Sequence, residues 1–163
     1  MMKYIKVIMS VVTFLTIVMT SSVTFAQTPS EAEKKVNELL QKYDGKDGID
    51  GFAATKGNGL ELMKMMFRKQ FGKDFMKGVT KITIIDYSSA SENTCNAIKK
   101  DLDAFKSILE EFELEKEPGS DKHQYTRSFA SVTESNTLSD FVVAFEDDSS
   151  KILMHMAGKI VVE

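Results

Sequence analysis

The sequence predicts an α+β fold, a two-layer sandwich in which about three helices pack on one face of a mixed, mostly antiparallel sheet. Two observations lead to this prediction. Segments with a helical apolar period alternate with strand-like segments in the earlier part of the chain, and a run of strand-like segments follows. The apolar share of 42% and charged share of 28% are ordinary for a globular protein, and 163 residues suit one folded domain.

Residues 1–26 have the order of a secretory signal peptide. Two lysines precede an apolar run at residues 7–18, and residues 24–26 (Thr-Phe-Ala) place small residues where a signal peptidase reads. The run is shorter than the about 20 apolar residues of a spanning helix, so a permanent anchor is the less favoured alternative. We expect cleavage after Ala26, which leaves a single domain at residues 27–163, periplasmic or secreted, with no stable membrane span.

The first helix is predicted from a capping signal and a helical period. Ser30 is followed three residues later by Glu33, the spacing of a capping box. Apolar residues then recur at steps of three and four: Ala32, Val36, Leu39, Leu40 and Tyr43. Gly45 can end this helix in a left-handed conformation.

Strand, helix and strand are predicted to follow, at residues 49–56, 60–71 and 79–87. The last of these is almost continuously apolar, which indicates an interior position in the sheet. The order strand, helix, strand favours a parallel right-handed crossover.

The third helix has the clearest period, because six residues fall on one narrow stripe: Cys95, Ile98, Leu102, Phe105, Leu109 and Phe112. The lone Cys95 is therefore expected to be a buried apolar residue and not a reactive thiol. From Glu111 the period changes to two, which indicates a charged edge strand. A turn at residues 118–121 and three antiparallel strands at 125–132, 138–146 and 151–162 complete the prediction, with a hairpin turn at 147–150.

Charge argues against two classes of partner. The chain carries −3, and −5 without residues 1–26. An acidic domain that lacks a basic cluster is not expected to bind nucleic acid or anionic lipid.

Two segments contain the residue types of metal sites. The loop at residues 44–50 holds three carboxylates, but their spacing does not fit an EF-hand. Met154, His155 and Met156 are ligand types that suit Cu(I), but alternation along a strand places the two methionines on one face and the histidine on the other. We therefore predict core methionines beside an outward histidine, with no metal and no cofactor.

No catalytic motif is present, since the sequence has no Gly-x-Ser-x-Gly, His-Glu-x-x-His or phosphate-binding glycine loop. No catalytic residue is therefore assigned. The alternative that stays open is a periplasmic hydrolase or other enzyme whose site is assembled from loop residues such as Asp86, Tyr87 and His123.

The second helix suggests a binding surface. Leu62 and Met65 project away from its apolar stripe, and they either cover other core elements or form an apolar patch beside Lys64, Arg68 and Lys69. Methionine is common where an apolar surface must adapt to a partner. An envelope protein or a small apolar ligand would be the partner of such a patch.

Beyond these local patterns, the signal peptide, residues 42–48 (KYDGKDG) and residues 141–148 (FVVAFEDD) through 158–160 (GKI) together resemble a family of small exported bacterial proteins that carry a domain of unknown function. The resemblance implies a protein of the Gram-negative cell envelope and assigns no catalytic residue. The expected function is that of a non-enzymatic binding or interaction module.

Overall fold

A computed structural model of the chain describes residues 29–112, 125–134 and 136–162. Within these ranges the helices are α1 (Glu31–Tyr43), α2 (Gly57–Phe71), α3 (Lys73–Gly78) and α4 (Glu92–Asp101), which continues into a 3-10 helix (Leu102–Ser107). The strands are β1 (Asp50–Ala54), β2 (Val79–Asp86), β3 (Glu110–Phe112), β4 (Tyr125–Glu134), β5 (Thr137–Glu146) and β6 (Lys151–Val161). The α+β class predicted from the sequence is confirmed.

The strands form one sheet in the order β1-β2-β6-β5-β4-β3, and every neighbouring pair is antiparallel. The sheet is therefore not mixed, and the predicted parallel crossover is wrong. Two helices, α2 and α3, connect β1 to β2, and the chain turns between them at Gly72, whose φ is 90°. The beginning of β2 lies beside the end of β1, where Ala54 pairs with Ile82.

The helices lie on both faces of the sheet, whereas the sequence analysis expected one. Ile82 and Ile84 of β2 pack with α2 and α3, while Ile85 belongs to a separate core with α1 and α4. Successive residues of a strand point to opposite faces, so these two cores lie on opposite sides of the sheet. The physical reason is the continuous apolar character of β2, β5 and β6, which needs cover on both faces.

Two glycines allow α3 to end directly against β6. A Cβ atom on Gly78 would overlap the backbone of Lys159, and one on Gly158 would overlap the carbonyl oxygen of Gly78. Gly158 also has φ 149°, which side chains disfavour. The register between β2 and β6 shifts at this point, between Val79 and Lys81.

Most predicted elements are present with small changes at their ends. Ser30 caps α1, since its Oγ accepts the backbone N–H of Glu33 at 3.0 Å. The predicted stripe of the third helix is correct as far as Leu109, but Phe112 lies in edge strand β3 and its ring is 5.9 Å from that of Phe141 in the opposite core. Residues 1–26, the turn at 118–121 and His123 lie outside the described residues.

None of the helices in the described residues combines the length and the apolar character that crossing a membrane requires.

Candidate functional site

The outward side of α2 carries the two residues that the sequence singled out as a partner surface. Leu62 is 38% exposed and Met65 is 62% exposed, while Leu60, Met63 and Phe67 on the opposite side of the helix are buried. Residues three apart on a helix lie on the same side, so Leu62 and Met65 are neighbours. Both residues are thus surface residues, and their part in binding stays a prediction.

Basic side chains surround this apolar pair. The segment from Lys56 to Lys77 contains six basic and two acidic residues, a net charge of +4 in a chain that carries −3. Because α2 and α3 cover the same face of the sheet, these side chains share one outer surface. The exposed members are Lys56, Arg68, Lys69, Lys73 and Lys77, and Lys64 is half-buried.

We call Leu62, Met65 and these six basic residues the α2–α3 surface. Among the described residues, the one ion pair that any of the six makes joins Lys64 Nζ to Glu61 Oε1 at 3.4 Å. The premise that the chain lacks a basic cluster is therefore wrong. Net charge averages over all faces of the molecule, whereas the fold places these basic residues on one of them.

Met154 and Met156 are buried in the core beneath α2 and α3, as the sequence predicted. His155 is not outward, however, because α1 covers the other face of the sheet. Its side chain is 0% exposed, and its Nε2 lies 2.9 Å from Oδ1 of Asp140. The alternation of side chains along β6 was predicted correctly, and the error came from expecting helices on one face only.

Asp140 is the centre of a buried hydrogen-bond network. Ser30 Oγ donates to Asp140 Oδ1 at 2.7 Å, and Ser139 Oγ donates to Oδ2 at 2.9 Å. Burial alone would raise the pKa of Asp140, but the hydrogen bonds from His155 and Ser30 outweigh burial and hold that pKa below its usual value. Within the described residues, Nδ1 of His155 and Oγ1 of Thr83 are buried without a hydrogen-bond partner.

This network does not have the geometry of a catalytic triad. In a triad the serine hydroxyl bonds to the histidine that takes its proton, whereas Ser30 bonds to the carboxylate. Ser30 is also the N-cap of α1, so its hydroxyl oxygen already serves the helix. The arrangement can attach α1 to the sheet, but no reactive atom in it is presented to a substrate.

A second polar cluster lies at the end of the sheet beneath α4. It contains one side chain from each of β4, β5 and β6, the side chain of the residue that directly follows β2, and two side chains of α4: Tyr125, Glu146, Lys151 and Tyr87, with Cys95 and Lys99. Lys99 Nζ donates to Glu146 Oε2 at 2.9 Å, and this hydrogen bond raises the pKa of Lys99. Lys99 and Glu146 therefore neutralise each other at the edge of the core.

Two further members of this sheet-end cluster, Tyr87 and Cys95, are buried away from solvent. Burial raises the pKa of Tyr87, and the neighbouring Glu146 carboxylate raises it further, so Tyr87 stays protonated. Cys95 is 2% exposed, with Lys151 Nζ 3.3 Å from its sulfur. The prediction that Cys95 is a buried residue is confirmed.

Of the three residues named for a loop-assembled enzyme, the structure describes Asp86 and Tyr87. Asp86 Oδ1 accepts the backbone N–H of Ser88 at 2.9 Å, which stabilises the turn after β2. Tyr87 is the next residue and is fully buried beneath α4. His123 lies outside the described residues.

The carboxylate-rich loop at residues 44–50 forms a turn. Gly48 has φ 77°, and a Cβ atom there would overlap the backbone carbonyl of Ser89. Across the described residues, no group of three or more His, Cys, Asp or Glu side chains is arranged to hold a metal ion. A neighbouring cleft, lined partly by Leu40 and Ile85, has a volume of about 260 Å³, below the range of about 300 to 1,000 Å³ usual for ligand pockets.

Sequence reasoning missed the Asp140–His155 pair and the basic cluster. A signal for the first was available, because Asp140 interrupts an apolar strand at a position that faces the same side as Val142. A signal for the second was the excess of lysine and arginine between residues 56 and 77. Compared with the Asp140 network and the sheet-end cluster, the α2–α3 surface presents its side chains more fully to solvent.

No protein-family model, curated protein or solved structure matches this chain.

Proposed function

We propose that this chain is a non-enzymatic binding module of the bacterial cell envelope, periplasmic or secreted after loss of residues 1–26, and that it contacts its partner through the α2–α3 surface. The observation that carries the proposal is the exposure of Leu62 and Met65, side by side on the outside of α2. The order of charged, apolar and small residues in residues 1–26 supports the location.

The side chains of Leu62 and Met65 are not needed to complete the core. Beneath α2, the core is already built from Met63 and Phe67 together with apolar residues of α3 and the sheet. Single apolar residues on a surface are ordinary, whereas contiguous apolar surface marks contact sites, and Leu62 and Met65 adjoin on the outside of α2. Methionine suits such a site because its flexible side chain adapts to the partner.

The polar clusters favour binding over catalysis. Asp140 and His155 are buried and hydrogen-bonded to each other, and Tyr87 is held protonated inside the sheet-end cluster. A general acid or base must reach a substrate proton at hydrogen-bond distance. We therefore carry no enzymatic activity into the proposal.

Site-specific photo-crosslinking in living cells tests the proposal. A photo-reactive phenylalanine derivative is placed at Met65, and as a matched control at Asn93, an exposed residue of α4 on the opposite face. The expected result is a crosslinked product, to protein or to lipid, from position 65 and not from position 93. Equal crosslinking at the two positions, or none at position 65, would contradict the proposal.

A double substitution, Leu62→Ser with Met65→Ser, separates binding from folding. Surface substitutions usually change stability little, so we expect the free energy of unfolding to stay within about 1 kcal/mol of wild type in urea titrations. In this variant the photo-reactive residue is placed at Lys69, a neighbouring position whose side chain is also exposed. Crosslinking from position 69 should fall relative to wild type, because a few apolar side chains carry most of the energy of an interface. Unfolding of the variant would show that the two residues belong to the core.

A further inference from the structure

We propose that the partner of the α2–α3 surface is an anionic phospholipid bilayer, with the five exposed basic side chains at the headgroups and with Leu62 and Met65 inserted at the boundary with the acyl chains. This assignment rests on the proposed binding function and names the partner of the same surface.

The first argument is the separation of charge in the molecule. The segment from Lys56 to Lys77 carries +4, so the rest of the chain carries −7. Basic side chains gain attraction close to an anionic surface, and this attraction decays within about 8 Å at physiological salt, so the near face dominates over the distant acidic one. The acidic remainder also orients the molecule with α2 and α3 toward the lipid.

The second argument is the shape of the outward side of α2. Leu62, Met65 and Lys69 follow one another at steps of three and four, so they form a single ridge along the helix. The helix has 15 residues, or about 22 Å at 1.5 Å per residue, and its buried residues pack against the sheet. An apolar ridge flanked by lysine and arginine is the arrangement by which helices lie in a membrane interface.

The aromatic residues of α2 and α3 distinguish lipid from single-stranded nucleic acid as the partner. Proteins that bind single strands stack bases on exposed aromatic rings. The aromatic residues of α2 and α3 face the core instead, where Phe71 stacks on Phe75 with ring centroids 5.3 Å apart. The exposed centre of the surface is aliphatic, which suits acyl chains.

Vesicle flotation tests the assignment with the chain purified after export and its N-terminus defined by intact mass. We expect wild type to float with phosphatidylglycerol-containing vesicles at low salt, to be released at high salt, and not to bind pure phosphatidylcholine. Each basic side chain contributes about a fivefold gain in partitioning, so Arg68→Glu with Lys69→Glu should reduce binding by about 25-fold or more.

The matched control is Lys34→Glu with Lys100→Glu, which makes the same change of charge at exposed positions of α1 and α4. It should bind as wild type does, and circular dichroism should show both double variants folded. Absence of binding to anionic vesicles, binding unaffected by Arg68→Glu with Lys69→Glu, or an equal loss in the control would overturn the assignment.

The two proposals fail in different ways. If Met65 crosslinks to a protein and the vesicles do not bind, the binding module stands and the lipid assignment falls. If a DNA duplex binds and the Arg68 and Lys69 variant abolishes it while vesicles stay unbound, the partner is nucleic acid and the lipid assignment is again wrong. If position 65 neither crosslinks nor contributes to vesicle binding, both proposals fail.

Discussion

Asp140 joins three separated parts of the chain at one buried carboxylate. It belongs to β5, it accepts a hydrogen bond from Ser30 at the beginning of α1, and it pairs with His155 in the middle of β6. A buried charged group is costly unless it is fully paired, so each partner of Asp140 restricts where the others can lie. We infer that this residue fixes the position of α1 over the sheet.

We expect Asp140→Asn to lower the free energy of unfolding at neutral pH by about 1 to 3 kcal/mol, because the buried partners lose a charged acceptor. The pKa of Asp140 is lower in the folded than in the unfolded protein. The stabilisation that the Asp140 carboxylate gives to the folded protein is therefore fully present above its unfolded pKa of about 3.9. It is lost as the pH falls through the folded pKa. In denaturant titrations, the difference in the free energy of unfolding between wild type and Asp140→Asn should become smaller below about pH 4.

The exposed Asp148, in the turn between β5 and β6, provides the control. Asp148→Asn should leave the free energy of unfolding nearly unchanged at every pH. If the stability lost in Asp140→Asn does not depend on pH, the explanation is wrong.

The pairing of Asp140 with His155 could be predicted only in part from the sequence. Alternation placed the side chain of His155 on the correct face, but its partner Asp140 lies 15 positions away and could not be identified without the strand register.

At the scale of elements, α1 is attached to the rest of the fold at both ends. Its first turn contacts the sheet through Ser30 with Asp140 and through the ion pair of Glu33 with Lys81. Its last residue, Tyr43, donates a hydrogen bond from Oη to Asp101 Oδ2 at 2.7 Å. The helix itself was predictable from its cap and its period, which are local, whereas these attachments depend on distant segments.

The contact between α3 and β6 gives a prediction for Gly158. We expect Gly158→Ala to destabilise the domain by more than the about 1 to 3 kcal/mol that a strained backbone costs, because its Cβ atom would also overlap the carbonyl oxygen of Gly78. Gly45→Ala serves as the comparison, since Gly45 has φ 70° but open space around its Cβ position. The midpoint of thermal unfolding of Gly158→Ala should lie well below that of Gly45→Ala. Equal midpoints would contradict the predicted overlap.

Connections between elements were harder to predict than the elements. The hairpin at residues 147–150 was correct because Asp147 Oδ1 accepts the backbone N–H groups of Ser149 and Ser150, a local turn signal. The direction of β2 relative to β1 was wrong because it depends on α3, a six-residue helix with no clear period of its own. Strand pairing is therefore set by packing and not by the neighbouring sequence.

For the whole molecule, helices on both faces leave the sheet itself with little surface for a partner. The central residues of β5 and β6 are buried on both sides. Contacts with a partner then fall to the outer surfaces of the helices and to the edge strands β1 and β3. The exposed side of α2 is one of these outer surfaces, and we propose it as the contact site.

The location of the protein also gives a prediction at this scale. We expect the exported protein to begin at Gln27, because the sequence predicts a signal peptide that ends at residues 24–26. Intact-mass measurement of protein from the native envelope fraction should give the mass of residues 27–163. Retention of residues 1–26 would replace the free domain by an anchored one.

The place of β6 in the sheet determines when this domain can fold. β6 is the last strand along the chain, yet it lies between β2 and β5 and joins the two halves of the sheet. During synthesis, the earlier strands therefore emerge without the neighbour that completes them, and neither core can close until residues 151–161 are available. We expect this domain to stay unfolded in the nascent chain until residues 151–161 have been made, a state compatible with passage through a membrane before the native sheet forms.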